Sequence, residues 1–369
     1  MKIIYILNKV SETSIPLEMA NLIYQKEHVI VISLYDSYEA GLKVVSKVSP
    51  NCEFITCNGR KNKLTGLYKL SKLLKNNEEC IIHTHQTLSG AWARYITRNM
   101  KNKSVVHTIH ANHNSFNKIQ NLIIGCTLKY ADFIVANSNT TWKGLKKWQG
   151  NLIKNVPGAT IYNGVNVERI LNVNQYTADK LLEKKRIKKD EFLFGTVGRF
   201  VKVKNYIGIL KSFEKFLLEI NDPQKYRLLL IGSGPEEENI KELINSSSLL
   251  KEQVTCIGLV DRDTVYGLLH KLDVFIMASF YEGFCNALME AKVVGLKTIV
   301  SDIDIFNELF EKEKSLNFNP NNIDEIKDCM IKAVDSEKVD KEIVNELRNK
   351  FDISTSANKY LDIYQKFKN

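Results

Sequence analysis

Short apolar runs alternate along the chain with stretches that have the residue spacing of amphipathic helices. The apolar runs predict strands at KIIYIL, HVIVISLY, CEFITC, CIIHTH, SVVHTIH and FIVANS, and then at FLFGTVGRF, YRLLLIG, VTCIGLV, VFIMAS and KTIVSD. Helices are predicted between them, at PLEMANLIYQ, GLYKLSKLLKN, YIGILKSFEKFLLEI and EEENIKELI. Continuous apolar strands separated by helices indicate parallel sheets covered on both faces. The pattern is that of an α/β protein.

The number of predicted strands is too large for one ordinary doubly wound sheet, and 369 residues are enough for two domains. The polar stretch from Glu168 to Asp190 offers a division between two sheets. We therefore expect domains at residues 1–170 and 171–351, and the pattern leaves open whether a C-terminal helix at about 352–369 crosses back to the first. Ligands bind beyond the carboxyl ends of such strands, so a cleft between two facing domains is the expected site.

The net charge of +10 is carried by the first half of the chain. Residues 1–170 hold 22 Lys and Arg against 10 Asp and Glu, whereas the remainder holds 30 against 32. Within this half, a predicted helix places Leu64, Leu67, Tyr68 and Leu74 on one side and lysines on the other. Such a helix suits an anionic lipid surface, and a solvated basic face is the alternative of equal weight. Nucleic acid is not expected as a partner, because aromatic residues are not interleaved with the lysines.

Segments that direct a protein to a membrane or a secretory route are not expected. The opening run MKIIYILNKV is interrupted by Asn8 and Lys9, so it predicts a buried strand rather than a signal peptide. No other run approaches the roughly 20 apolar residues of a transmembrane helix. The seven cysteines contain no CxxC pair and imply neither a disulfide nor a zinc framework. We expect a cytoplasmic protein that is either free or peripheral on the inner face of the plasma membrane.

The segment VGRFVKVKN delivers Arg199 and Lys204 between a strand and the start of a helix. A departing nucleoside diphosphate gains negative charge, which a forked Arg, a Lys and free helix amides all stabilise. Two surface cations after a strand are the structural alternative.

The segment FYEGFCNALMEA places Glu282 and Glu290 on either side of a turn that leads into a helix. Two acids at this spacing are too far apart to share a proton, but they can hold separate hydroxyl groups of one extended ligand. The amides near Asn286 and Ala287, at the helix start, would then face its phosphates. Ordinary exposed acids are the structural alternative for each residue taken singly.

An ordered set of segments resembles the donor half of glycosyltransferase family 4, namely VGR, KN, LIGSGP, CIGLV, LDVFIMASFYEGFCNALMEA and GLKTIVSD. The resemblance extends upstream through VHTIHA, ADFIVANS and IYNGVN. It implies the GT-B fold, in which two Rossmann-like domains face each other across a cleft. It also implies that Arg199 and Lys204 bind the donor diphosphate and that Glu290 binds the ribose. The resemblance further implies that Glu282 holds the transferred sugar together with the backbone of Gly283, Phe284 and Cys285. It implies that Val260 lines the base and that His110 faces the reacting sugar.

Five of the seven histidines lie between His83 and His113, which raises a metal site as the rival interpretation. His107 and His110 are three apart in an extended run and point to opposite faces, and only His83 and His85 share a face. Satisfied strand-end histidines are therefore favoured for His107 and His113. The DRD and DID pairs at Asp261 and Asp302 are weak matches to a metal-binding motif. We expect no metal ion and no cofactor, with a nucleotide sugar as co-substrate.

One segment departs from the family, which generally has two glycines after the first strand where this chain reads NKVSETSIP. Hydroxyl groups of Ser11, Thr13 or Ser14 are possible substitutes in contacting a phosphate.

The resemblance implies transfer of a hexose-type sugar, with retention, from a UDP-sugar to a saccharide acceptor. The basic first half suggests that this acceptor is lipid-linked and belongs to a bacterial O-antigen or capsule pathway. The alternatives are a nucleotide-sugar epimerase on the same fold and a non-catalytic sugar-nucleotide-binding protein. A nicotinamide oxidoreductase is a weaker alternative, because GSGP lacks the third glycine of the dinucleotide fingerprint.

Overall fold

The structure is a computed structural model that describes residues 2–76, 79–110, 113, 116–310 and 316–368. The chain forms two compact units. The first consists of Met1–Gly164 and Phe351–Asn369, and the second of Val165–Lys350. The polar stretch that predicted the division is mostly helical and lies in the second unit, so the boundary falls just before it.

The first unit is built on a parallel sheet of seven strands in the order β3-β2-β1-β4-β5-β6-β7. Its strands are β1 (Lys2–Leu7), β2 (His28–Ser33), β3 (Glu53–Thr56), β4 (Cys80–Thr84), β5 (Lys103–Ile109), β6 (Phe133–Ala136) and β7 (Gly158–Thr160). Its helices up to the boundary are α1 (Ile15–Tyr24), α2 (Tyr38–Val48), α3 (Lys63–Asn76), α4 (Thr87–Thr97), α5 (Lys118–Leu128), α6 (Asn139–Lys143) and α7 (Lys147–Leu152). Apolar side chains pack on both faces of the sheet, which explains the continuous apolar strands.

The second unit is built on a parallel sheet of six strands in the order β10-β9-β8-β11-β12-β13. Its strands are β8 (Phe192–Val197), β9 (Tyr226–Ile231), β10 (Val254–Gly258), β11 (Val274–Met277), β12 (Lys297–Ser301) and β13 (Leu316–Phe318). Its helices are α8 (Val167–Leu171), α9 (Tyr176–Lys184), α10 (Tyr206–Glu219), α11 (Glu237–Ser246), α12 (Ser248–Gln253), α13 (Arg262–Leu269), α14 (Asn286–Val294), α15 (Asp304–Phe310), α16 (Ile323–Asp335) and α17 (Lys341–Phe351). The core of this sheet is rich in Phe and Leu.

The last helix, α18 (Ile353–Gln365), belongs to the first unit and packs against α1. Tyr360 and Tyr364 of α18 are buried in the same core as Tyr5 of β1. The Tyr364 hydroxyl lies 3.0 Å from the Tyr5 hydroxyl. The backbone passes so close that a Cβ on Gly164 would lie 2.3 Å from the Cα of Ile353, so glycine is required there.

The orientation predicted for α3 is wrong in part. Leu67, Leu70 and Leu74 are buried, but Leu64 and Tyr68 are 77% and 69% exposed. At about 100° per residue, Leu64 and Tyr68 point well away from the direction shared by the three buried leucines. The outer face of α3 therefore carries two apolar side chains among its lysines. None of the helices in the described part of the chain has the length and apolar content of a membrane span.

Candidate active site

Three of the predicted donor residues of the second unit lie in segments that follow the parallel strands β8 and β11. Arg199 and Lys204 stand between β8 and α10, and Glu282 stands between β11 and α14. The backbone N–H of Phe280 donates a 2.9 Å hydrogen bond to the carbonyl of Val203, which joins the two loops. The carboxyl ends of adjacent strands thus bring the two segments together, as such sheets generally do.

Lys204 and Glu282 form an ion pair in which Nζ lies 2.6 Å from Oε1. Both side chains are largely buried, at 18% and 13% exposure. Burial disfavours the charged amine, but the neighbouring Cys285 and Glu282 outweigh it and raise the pKa of Lys204 above its ordinary value. Ser279 donates a second hydrogen bond of 2.7 Å to the same carboxylate oxygen. The pair is charged, ordered and partly desolvated, so each charge acts more strongly than it would in water.

Arg199 differs from Lys204 in being exposed. Its guanidinium has no side-chain partner among the residues that the structure describes. A cation without a partner on the same loop as Lys204 is free to accept a ligand anion in forked geometry.

The loop that carries Arg199 rests on the LIGSGP segment by backbone contact. A Cβ on Gly232 would lie 2.0 Å from the carbonyl oxygen of Gly198, and one on Gly234 would lie 2.4 Å from that of Phe200. Gly232 also has a φ of +135°, which other residues rarely adopt. These glycines therefore serve a close backbone contact beneath Arg199, and the motif needs no dinucleotide to explain it.

Helix α14 begins directly after the Glu282 loop. Its N-cap residue is the buried Cys285 rather than a Ser, Thr, Asp or Asn, and burial raises the pKa of this thiol to about 12. The next residue, Asn286, has a buried Oδ1 atom with no hydrogen-bond partner among the described atoms. Gly283, Phe284, Asn286 and Ala287 are all half-buried. The start of α14 thus offers a polar ligand both hydrogen-bond donors, from the helix amides, and an acceptor, the Oδ1 atom of Asn286.

Glu290 lies inside α14 and is buried with Arg262 as its partner. Nη2 of Arg262 lies 2.9 Å from Oε1 of Glu290, with 5% and 8% of the two side chains exposed. Tyr266 donates a longer hydrogen bond of 3.4 Å to the same oxygen. Glu290 was predicted from the sequence as a site residue, but Arg262 was missed, although it is the middle residue of the DRD triplet.

The two aspartates of DRD have structural roles. Asp261 caps α13 by accepting a 3.0 Å hydrogen bond from the amide of Thr264, and Asp263 pairs with Arg169 at 2.7 Å. Val260 precedes this cap and follows Gly258, whose φ of +84° requires glycine. Asp302 of the DID pair accepts a 2.7 Å hydrogen bond from Asn307. In the described ranges, no three His, Cys, Asp or Glu side chains are grouped so that they could hold a metal ion.

A second group of predicted residues lies in the first unit, where His110 directly follows β5. Its Nε2 atom lies 3.0 Å from Nδ1 of His85. Burial lowers the pKa of His110 to about 4 and that of His85 well below its usual range. Both rings are therefore neutral at pH 7, and one proton lies between them.

The His85–His110 contact allows two tautomeric arrangements. If His85 donates, its buried Nε2 is an unused acceptor and His110 presents Nδ1–H. If His110 donates, a buried N–H of His85 is left without a partner, because Nε2 of His85 has none among the described atoms. Buried N–H groups without a partner are rarer and more costly than unused acceptors. We infer that His85 donates, so that His110 presents a hydrogen-bond donor at Nδ1.

The other histidines have internal partners. Both ring nitrogens of His83 are occupied, by Tyr364 and by Thr108 at 2.8 Å. His107 lies 2.8 Å from the buried guanidinium of Arg94. His113 lies 2.7 Å from Oε1 of Gln149. The prediction that His107 and His113 have satisfied ring nitrogens is confirmed to the extent that each ring has an internal partner.

His85 and His110 line a cavity of about 240 Å³. Its other walls include Asn8, Gln86, Thr87 and Phe116. Gln86 accepts a 2.6 Å hydrogen bond from the amide of Asn8, which fixes the loop after β1. In that loop Ser11 and Thr13 are exposed and Ser14 is buried at the start of α1. A larger groove of about 1030 Å³ lies in the second unit at the amino ends of β8 and β11, and it contains none of the predicted site residues.

Two family models match the chain in succession. The model described as "Glycosyltransferase Family 4" matches residues 21–169, and that described as "Glycosyl transferases group 1" matches residues 177–350. The chain belongs to glycosyltransferase family 4. The predicted family and the predicted enzyme class are thereby confirmed.

Two relatives each match about four fifths of this glycosyltransferase. It is 26% identical over 314 residues to "UDP-Gal:alpha-D-GlcNAc-diphosphoundecaprenol alpha-1,3-galactosyltransferase" of Escherichia coli, covering 82% of the chain and 79% of that protein. It is 29% identical over 319 residues to "Uncharacterized 41.2 kDa protein in cps region" of Klebsiella pneumoniae, with 80% and 81% covered.

Solved structures resemble this glycosyltransferase in fold. The Anabaena HepE protein in complex with UDP matches with a TM-score of 0.78 at 17% identity, covering 99% of this chain and 100% of that one. A glycosyltransferase from Rickettsia africae matches with a TM-score of 0.76 at 19% identity, covering 99% and 98%. The two parallel sheets are the Rossmann-like domains of the GT-B fold, as predicted.

Proposed function

We propose that this glycosyltransferase transfers a hexose-type sugar from a UDP-sugar to a saccharide carried on a lipid diphosphate, with retention of anomeric configuration. The observation that carries the proposal is the Lys204–Glu282 ion pair beside the start of α14. It places a cation for a diphosphate and an acid for sugar hydroxyls within hydrogen-bond distance of each other.

Donor binding would redistribute the contacts of this pair. Lys204 turns towards the diphosphate oxygens, and Arg199 approaches the same group from the exposed side of the loop. Glu282, still held by Ser279, accepts hydrogen bonds from sugar hydroxyls. Amides at the start of α14 face the phosphates, and Glu290 receives the ribose while Arg262 balances its charge. Val260 would lie along the base.

The chemical step is a displacement in which the acceptor hydroxyl attacks the anomeric carbon on the face from which the diphosphate leaves. The bond from this carbon to the phosphate oxygen breaks as the new glycosidic bond forms, and the leaving phosphate takes the acceptor proton. The charge that develops on the diphosphate is stabilised by Arg199 and Lys204, so we propose that no metal ion is needed. His110 would donate from Nδ1 to the reacting sugar.

The family resemblance assigns His110 to the reacting sugar, and the residues around His110 support this route over its alternatives. A covalent sugar intermediate needs a carboxylate nucleophile, and an epimerase needs acid and base carboxylates. None of the described residues that line this cavity is an Asp or Glu. A front-face displacement needs no such group.

The acceptor is inferred from relatives and from charge. The Escherichia coli relative is named for a diphosphoundecaprenol acceptor, and further relatives include "O-antigen biosynthesis glycosyltransferase WclY" of the same species. The excess of basic residues in the first half of the chain suits an anionic lipid-linked substrate. We place the enzyme in assembly of a bacterial O-antigen or capsule.

Calorimetry with a panel of UDP-, GDP- and TDP-sugars tests the donor. We expect a UDP-sugar to bind most tightly and to be hydrolysed slowly without acceptor. Transfer to a synthetic lipid-diphosphate sugar, followed by NMR of the product, should show the anomeric configuration of the donor. Inversion would refute the mechanism, and interconversion of the nucleotide sugar without acceptor would favour an epimerase.

A further inference from the structure

Helix α5 carries apolar side chains on two opposite faces. Ile124, Gly125 and Leu128 are buried on the inner face. The outer face carries four exposed residues at the spacing i, i+3, i+4, i+7, which are Ile119, Leu122, Ile123 and Cys126. The three aliphatic residues are 70%, 57% and 41% exposed. At about 100° per residue the four fall within one narrow arc, so they form a single stripe, the outer stripe of α5.

Helix α7 widens this stripe into a patch. Trp148 and Leu152 lie one turn apart and are each 39% exposed. A Cβ on Gly125 would lie 2.3 Å from the ring of Trp148, so the indole rests directly on α5. Gly125 stands at the margin of the buried face, about 60° around the helix axis from Leu122, so the indole lies beside the outer stripe. Contiguous exposed apolar surface of this kind generally marks a surface that meets a partner or a membrane.

The patch has a cationic rim. Lys118 and Lys129 stand exposed at the two ends of α5, and Lys147 stands exposed at the start of α7. Residues 101–160 contain eight lysines and a single acidic residue, Asp132. That acid is used internally, since its carboxylate accepts a 2.7 Å hydrogen bond from the amide of Val105. Eight lysines against this one acid leave the segment with a net charge of +7.

We propose that the patch formed by α5 and α7 is the surface by which the enzyme docks on an anionic lipid bilayer. The outer stripe enters the boundary between headgroups and acyl chains, and the lysines contact phosphate headgroups. Trp148 takes the interfacial position that tryptophan favours. A second copy of the chain is a poorer occupant, because two identical cationic rims would face each other and repel. Helix α3 is also a poorer candidate, because its outer face has only Leu64 and Tyr68 among lysines.

This proposal deepens the proposed function, because a bilayer surface is where a lipid-linked acceptor resides. The two can fail separately. Donor hydrolysis in the absence of vesicles depends on the donor-binding residues and His110, and not on the patch. Vesicle binding without any nucleotide sugar depends on the patch alone.

Cosedimentation at low salt tests the surface, with vesicles of phosphatidylglycerol and phosphatidylcholine compared with vesicles of phosphatidylcholine alone. The test variant is Leu122→Ser with Ile123→Ser, and the matched control on α3 is Leu64→Ser with Tyr68→Ser. All four side chains are exposed, so both variants should fold, which circular dichroism and donor hydrolysis verify. Cys126 supplies a second readout, because its reaction with a charged maleimide, located by mass spectrometry, should slow when vesicles cover it.

We expect the wild type to bind the anionic vesicles and the α5 variant to bind them at least about tenfold more weakly. The α3 variant should bind like the wild type. Cys126 should be protected only by the anionic vesicles. Loss of binding in the α3 variant alone would overturn the proposal, as would a wild type that ignores anionic vesicles. A dimer in sedimentation velocity that the α5 variant abolishes would also overturn it and assign the patch to a second copy.

Discussion

Replacing Lys204 by alanine tests the electrostatic core of the proposed mechanism. The change removes a cation that lies 2.6 Å from Glu282 and whose side chain is 18% exposed. Removing one preorganised group that stabilises developing charge generally costs about 10²–10³-fold in rate, or about 2.7–4 kcal/mol. We expect kcat of Lys204→Ala to be lower than that of the wild type by a factor within that range.

The same substitution has a smaller effect on folding. Surface ion pairs contribute about 0–1 kcal/mol, whereas breaking a buried pair costs about 3–5 kcal/mol. The Lys204–Glu282 pair is intermediate in exposure, and Ser279 still holds the carboxylate. We expect the free energy of unfolding to fall by about 1–3 kcal/mol. The variant should therefore remain folded at 25 °C.

The assay is steady-state transfer and acceptor-independent donor hydrolysis, with urea unfolding in parallel. Lys202→Ala is the matched control, because Lys202 lies exposed on the same short turn as Lys204. It should retain wild-type kcat. A folded Lys204→Ala enzyme with kcat within about threefold of wild type would refute the role in stabilising the leaving diphosphate.

Three further predictions concern buried groups. Because burial lowers the pKa of His110 to about 4, this ring takes up a proton more readily in the unfolded chain than in the folded protein below pH 6.5. The free energy of unfolding should therefore fall by up to about 3 kcal/mol from this group as the pH drops from about 6.5 to 4. A urea midpoint that stays constant across that range would contradict this expectation. His85→Asn keeps an N–H near the position of Nδ1, so its kcat should stay within about threefold of the wild type, whereas His85→Leu should lose about tenfold or more. Equal activities of the two variants would refute the role of His85 in positioning His110. Arg262→Met leaves Glu290 buried without its cation, so unfolding by heat or urea should show a loss of about 3–5 kcal/mol, and calorimetry should show weaker binding of UDP; an unchanged midpoint would refute the buried pair.

The long apolar strands were predictable from the sequence because each carries a strong local signal. The eleven predicted runs all correspond to strands of the two sheets. The two missed strands, β7 and β13, have only three residues each, which is too short for any periodic pattern. Local composition also misplaced the boundary, because the polar surface of α8 and α9 resembles a linker although their apolar sides pack on the second unit.

Candidate site residues were predictable where motif spacing fixed them, as for Lys204 and Glu282. Their mutual ion pair was not, because it depends on two loops distant in sequence meeting at adjacent strand ends. The same holds for His85 and His110, which directly follow the adjacent strands β4 and β5. The position of Leu64 on α3 was mistaken because an apolar residue in a helical period was taken to be buried.

The route of the chain through its two units bears on the order in which they mature during synthesis. The second unit is one uninterrupted segment, so it can complete its fold as soon as Lys350 has left the ribosome. The first unit begins to emerge earlier, yet it must wait for Tyr360 and Tyr364 of α18 to fill its interior. The half that is translated first is thus the half that finishes last.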